Sequence, residues 1–322
     1  MAVCLSVLFA SCSNDDEGGT NVPANVFQTI QAEWYSPNAE RYMSFEYMQV
    51  QGTVYQNMST FPEITESFSG QWMYTKGGVL GMEILYDKSL KGVDENWYVL
   101  QCDETTLKVR HAKLNLTLDF YKIVESRQGR IGDRFDIDYV KSHPEFSSAT
   151  YNTSNAGIAD VDNGGHVTIR GGGLAFITIS SMSGSVVVRV DGGQRVNSYT
   201  AEITETIDQV IARHGEPDMT PDTGTSSLAI VYQTPEKIID SAVAMLGYEY
   251  DPDTREVTKE EILYKDEADR WLLSDEEYLN REFYLYFDIE GVYVPNQGLI
   301  DNHFFVQVLR SATGKGLIVY RL

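Results

Sequence analysis

Three cysteines in 322 residues are too few for a disulfide framework to hold this chain together. Cationic side chains are also scarce, with 25 Lys and Arg against 47 Asp and Glu, a net charge of −22. So acidic a chain repels phosphate backbones and anionic head groups, which excludes nucleic acid as a partner. No run reaches the ~18 consecutive apolar residues of a membrane-spanning helix. Histidine is sparse and scattered over His111, His143, His166, His214 and His303, with no i,i+4 pair and no His-x-His, so no zinc site is legible. There is no Gly-x-Ser-x-Gly elbow, and Gly171-Gly172-Gly173 is not followed by the Lys-Ser/Thr of a phosphate loop. The expectation is a protein with no cofactor, no metal and no catalytic signature.

What is abundant is apolar and aromatic. Hydrophobic residues make up 42% of the chain against 22% charged, enough to bury cores, and 20 tyrosines with 26 glycines point to sheets. From 26 to 127 the pattern alternates with a period of two, as in Met43-Ser44-Phe45-Glu46-Tyr47, Leu80-Gly81-Met82-Glu83-Ile84 and Leu114-Asn115-Leu116-Thr117-Leu118-Asp119-Phe120. Turn signals at 50–52, 76–78 and 102–105 separate these runs, which predicts an antiparallel meander closed into a small barrel. From 131 to 191, short β-branched runs such as Ala175-Phe176-Ile177-Thr178-Ile179 and Val186-Val187-Val188 end in Gly or Asn turns, the pattern of a β-sandwich expected to fold alone. From 198 to 322 the pattern is mixed α+β. One helix is expected near 203–211, capped at Thr204 and stopped at Gly215 and Pro217. A second is expected over 274–282 with Ser274 as its N-cap, among strands at 227–233, 239–250, 257–264, 304–309 and 316–320.

The N-terminus reads Met1-Ala2-Val3-Cys4-Leu5-Ser6-Val7-Leu8-Phe9-Ala10-Ser11, an apolar run ending in small residues before Cys12. It resembles a bacterial lipoprotein signal peptide over 1–11, with Phe9-Ala10-Ser11-Cys12 as lipobox and Cys12 as the lipidated residue. The cluster Ser13-Asn14-Asp15-Asp16-Glu17 resembles the signal by which Gram-negative bacteria display lipoproteins on the outer face. That resemblance implies an acidic tether over 12–25 and a lipid-anchored protein of the outer membrane, exposed at the cell surface.

The first block resembles the lipocalin-like domains of bacterial lipoproteins. The residues that carry this are Trp34, Gly52-Thr53-Val54, Gly70-Gln71-Trp72, Tyr98-Val99-Leu100, Thr105-Thr106-Leu107 and Phe120-Tyr121-Lys122. The resemblance implies a barrel and leaves open whether its mouth holds a ligand, which Trp34, Tyr42, Trp72 and Trp97 would line or simply fill. The second block resembles the bacterial immunoglobulin-like group 2 domain, through Ser154-Asn155, Ile158-Ala159-Asp160-Val161-Asp162, Gly165-His166-Val167 and Gly173-Leu174-Ala175-Phe176-Ile177-Thr178.

Candidate chemistry is thin. Asp160 and Asp162 imitate a calcium loop, but Gly171 stands where the bidentate Glu belongs, so a strand and hairpin turn is expected there. Asp136 and Asp138, near Asp133, read as a solvated strand face rather than a paired-carboxylate site. Cys102 reads as a small buried hydrophobe. Tyr284 and Tyr286 alternate away from Phe283, Leu285 and Phe287, which makes them candidate binding residues on a half-wet face. The function expected is a non-catalytic surface lipoprotein that binds or adheres, with a glycan or a protein as ligand. A small-molecule binder using the barrel and a hydrolase in the C-terminal block are the alternatives.

Overall fold

Alternation makes each strand two-faced, and a meander of such strands can hide one face only by curling on itself. A computed structural model describes residues 26–75, 78–88, 91–200, 205–222, 227–285, 291–295, 304–311 and 314–321. After a short helix, α1 (Val26–Thr29), come β1 (Glu33–Ser36), β2 (Arg41–Glu46), β3 (Gln49–Gln56), β4 (Glu63–Tyr74), β5 (Val79–Tyr86), β6 (Lys91–Cys102), β7 (Thr106–His111) and β8 (Thr117–Gln128). Each pairs antiparallel with the next, and β1 closes on β8 with Trp34 opposite Lys122 and Tyr35 opposite Tyr121. The result is a closed eight-stranded barrel. Along β5, Leu80, Met82 and Ile84 point inward while Glu83 and Leu85 face out. One end is plugged by α1: Val26 and Ile30 join the barrel core, and Trp34 Nε1 donates to Ile30 O at 2.9 Å. Gly70 is required by close approach, since a Cβ there would lie 2.0 Å from Glu83 O on β5.

The second unit is a β-sandwich that shares a strand with the barrel. Its strands are β9 (Arg134–Asp136), β10 (Thr150–Thr153), β11 (Ala159–Val161), β12 (His166–Ile169), β13 (Leu174–Ser181) and β14 (Gly184–Asp191), with a short helix, α2 (Asp138–Ser142), after β9. One sheet runs β11-β12-β9; the other runs β10-β13-β14 and continues into β8, which β14 joins in parallel, Val188 opposite Glu125. The boundary that the sequence pattern puts between 127 and 131 therefore falls beside a strand that both units use. Ala175, Ile177 and Ile179 of β13 and Val186, Val188 and Val190 of β14 fill the sandwich core. On the reverse face Phe176 stacks on Tyr35 of the barrel at 3.8 Å, and Val187 joins the same seam cluster. The triple glycine follows from crowding: a Cβ at Gly171 would lie 2.4 Å from Gly157 O, one at Gly172 would lie 2.7 Å from Gly193 O, and Gly173 has φ +118°.

The third unit begins with α3 (Arg195–Thr200) and α4 (Ile207–His214). Then come β15 (Leu228–Tyr232), β16 (Val243–Tyr250), β17 (Val257–Tyr264), α5 (Ala268–Glu282), β18 (Phe283–Leu285), β19 (Val292–Pro295), β20 (Phe304–Ser311) and β21 (Gly314–Arg321). The sheet order is β15-β16-β17-β21-β20-β19-β18, with α5 packed on it through Leu272 and Leu279. Two helix starts differ from expectation. Thr204 lies outside the described residues, and α4 opens at Thr206, whose N–H donates to Gln209 Oε1 at 2.8 Å in a capping box. α5 starts at Ala268, six residues before Ser274; its inner face reads Ala268, Leu272, Asp275, Leu279, with a buried Asp among the apolar positions. The unit is joined to the others: Ser241 N donates to Arg170 O of the sandwich at 2.8 Å, and Phe61 of the barrel meets Trp271 edge to face at 4.7 Å.

Candidate functional site

The barrel interior is full. Trp34, Trp72 and Trp97 are buried among Met43, Phe45, Phe68, Leu107 and Phe120, and the void lined by Met43, Trp97 and Phe120 measures about 10 Å³. That is room for about one water and no organic ligand. Tyr42 lies on the other face, packed into the seam cluster. Cys102 is completely buried and burial pushes its thiol up to about 12, so it is an inert core residue.

The carboxylates singled out in the sequence are engaged in ion pairs and turns. Asp136 ends β9 and accepts from His166 Nδ1 at 2.7 Å, with Lys141 Nζ at 3.2 Å; these two contacts hold its carboxyl below the usual range. Asp138 is not on that strand but opens α2, where it pairs with Lys141 and Arg127. Asp162 caps the β11–β12 hairpin, accepting from Gly164 N at 2.8 Å and His166 N at 3.0 Å. Among the described residues no group of three His, Cys, Asp or Glu side chains is placed to hold a metal. Two acids do meet in the third unit, Asp240 and Asp275, but both are sealed from solvent around Arg195. Of the binding candidates, Tyr284 sits in β18 opposite Val294; Tyr286 and Cys12 lie outside the described residues.

A more open site lies where barrel and sandwich meet. The extended strand β8 carries Lys122 and Val124 to this seam, and Glu125 accepts from the N–H groups of Asp138 and Tyr139 at 3.1 and 3.2 Å, which ties the N-terminus of α2 to β8. One helical turn on, the His143 ring stacks on Tyr139 at 3.8 Å and 15°, with its Nδ1 2.9 Å from Tyr139 O. The β6–β7 turn brings Glu104 and Thr105 to the other side, and Lys122 Nζ lies 3.3 Å from Glu104. These residues, with Glu145, Phe146 and Ser183, line a groove of about 450 Å³. Burial first, then the Glu145 and Glu104 carboxylates, push the Tyr139 phenol up, so it remains a neutral donor at physiological pH.

The arrangement offers an aromatic platform, two carboxylates as acceptors and one ammonium, in a volume typical of small-ligand sites of ~300–1,000 Å³. Ser142 Oγ lies 3.0 Å from His143 Nδ1, but the same hydroxyl donates to Tyr139 O at 3.0 Å; this is a local helix-end contact. The groove is not legible along the chain because its parts come from 104–105, 122–124, 139–146 and 183. The one local signal is the i,i+4 spacing of Tyr139 and His143, next to a segment whose Asp136 and Asp138 read as a strand face.

Fold and groove define a class: a mostly β protein made of a filled barrel, a sandwich and an α+β unit. No family model matches this chain, and no curated protein matches it.

Proposed function

We propose that the chain is a lipid-anchored, surface-displayed binding protein of the outer membrane, non-catalytic, and that its ligand seats in the barrel–sandwich groove. The observation that carries this reading is the groove itself: about 450 Å³ lined by the Tyr139–His143 stack, Glu104, Glu145 and Lys122. Stacked rings beside hydrogen-bonding carboxylates suit a hydroxyl-rich ligand with an apolar face, which favours a glycan over a protein surface. A barrel-mouth binder is disfavoured by the 10 Å³ void, and a hydrolase in the third unit by the burial of Asp240 and Asp275. The anchor rests on the resemblance around Cys12. The test has two arms. Cys12→Ser should move the protein from membrane to soluble fraction and abolish labelling by a palmitate analogue; label that persists would sink the anchor. On a glycan array, Tyr139→Ala and Glu145→Gln should lose the binding that the unaltered chain shows, with melting temperature held, whereas binding that survives both substitutions places the ligand elsewhere.

A further inference from the structure

The α1 end of the barrel gathers several exposed apolar side chains in one place. Four large apolar side chains stand out there: Phe27 at 46% exposure, Tyr47 at 74%, Met48 at 52% and Met73 at 47%. They belong to one patch. Phe27 packs on Trp72 with ring centroids 5.1 Å apart, Trp72 N donates to Met48 O at 2.9 Å, and Tyr47 N donates to Gln31 Oε1 at 3.2 Å. Met73 follows Trp72 on the outward face of β4.

Charge is sparse in the segments that build the patch, with exposed Glu83 of β5 standing opposite Gln71 at its border. The three segments that build it, 26–31, 46–51 and 70–75, carry one ionised side chain between them, Glu46, in a chain of net charge −22. Their polar residues are mostly glutamines: Gln28, Gln31, Gln49, Gln51 and Gln71. A protein this acidic is repelled by an anionic bilayer everywhere that its carboxylates are dense, and this end is where it can approach.

The backbone adds a second sign. Tyr47 sits at the tip of the β2–β3 turn with φ +50°, a left-handed conformation that Asn or Gly adopts at lower cost. A bulky tyrosine held there, three-quarters exposed, is backbone strain kept at a surface position.

Position supplies the partner. Val26 opens α1 at this end, 14 positions after Cys12, a span of at most about 50 Å when fully extended. We infer that the patch of Phe27, Tyr47, Met48 and Met73 docks the barrel onto the lipid surface that holds the acyl anchor. This rests on the lipoprotein reading of Cys12. The rings and thioethers enter the boundary between head groups and acyl chains, where amphipathic aromatics and apolar side chains partition. The barrel then stands on its α1 end.

The full lipidated chain, reconstituted in phosphatidylethanolamine–phosphatidylglycerol vesicles, tests this through an environment-sensitive fluorophore on Met48→Cys or, as control, on Met182→Cys in the β13–β14 turn. Cys102 is buried and stays unlabelled. Spin-labelled lipids should quench the probe at 48 by about half or more and leave that at 182 almost unchanged, as expected for a shallow interfacial contact. In a Phe27→Ser/Tyr47→Asn background, whose Asn suits the turn, quenching at 48 should fall to the control value. Quenching at 48 that equals the control, or that survives the double substitution, overturns the docking and leaves the anchor standing. Protein that fails to float with the vesicles overturns the anchor reading first, and the docking with it.

Discussion

Arg195 shows what one residue decides. Its guanidinium lies 3.0 Å from Asp240 and 3.8 Å from Asp275 and packs over the Trp271 ring at 4.6 Å, with all three charged groups at 2% exposure or less. Asp240 also accepts from Ala242 N at 2.9 Å and from the Tyr199 hydroxyl at 3.4 Å, while Asp275 accepts from the Tyr264 hydroxyl. Burial pushes the Asp275 carboxyl up to about 6 from its ordinary 3.8, against the pull of Arg195. Between those values the folded chain binds a proton that the unfolded chain releases. The stability contributed by protonated Asp275 is therefore complete below pH 3.8 and is lost as pH rises through about 6. Asp275→Asn keeps an acceptor for Tyr264 and removes the titration. Melting temperatures measured between about pH 4 and pH 6 should fall less steeply with pH in this variant than in the unaltered chain. Equal slopes would show that Asp275 does not titrate in that window.

At the scale of elements, β13 is the informative strand, because its centre is buried on both faces. Ile177 sits in the sandwich core and Phe176 on the barrel side, so Leu174–Ile177 reads as an apolar run instead of an alternation. Ile177→Ala should cost ~2–5 kcal/mol in urea unfolding as a fully buried large-to-small change, and Phe176→Ala ~3–5 kcal/mol. A loss under ~1 kcal/mol for either would mean that its face is loosely packed. A double cycle with Tyr35→Ala should show coupling for Phe176, which stacks on that ring, and near-additivity for Ile177. α5 teaches a related lesson. Its apolar positions are spaced correctly, but Asp275 on the inner face reads as solvent-facing polarity until the fold places Arg195 beside it.

For the whole molecule, the shared strand is the main consequence. The segment 131–191 contains six strands of the sandwich but lacks Ile123–Gln128 of β8, the edge on which β14 is paired, and it leaves Phe176 and Val187 without the barrel. The expectation that it folds alone is replaced by another: isolated 131–191 should be largely unfolded by far-UV circular dichroism, whereas 26–191 should be folded and melt in one transition. A cooperative melt from the isolated segment would show that β8 contributes little. The same joint ties the groove to both units, since Lys122 and Val124 belong to β8 while Tyr139 and His143 belong to the sandwich. Relative movement of barrel and sandwich would therefore open or close the site.

The residue sequence by itself determined the local structure: the period-two alternation of the barrel strands, the Gly and Asn turns between them, the β-branched runs of the sandwich, and the Gly215 stop of α4. These follow from steric preferences and from which face each side chain takes, and both are properties of neighbours along the chain. Tertiary structure alone decided what lies between units. That β8 serves two sheets, that the barrel is filled, and that Glu104, Lys122, Tyr139, His143 and Glu145 converge all depend on contacts between residues distant in sequence. The physical reason is that a strand's hydrogen-bonding edges look the same in sequence whichever partner they take. A carboxylate likewise reads as solvent-facing until the fold places an arginine, or a groove, in front of it.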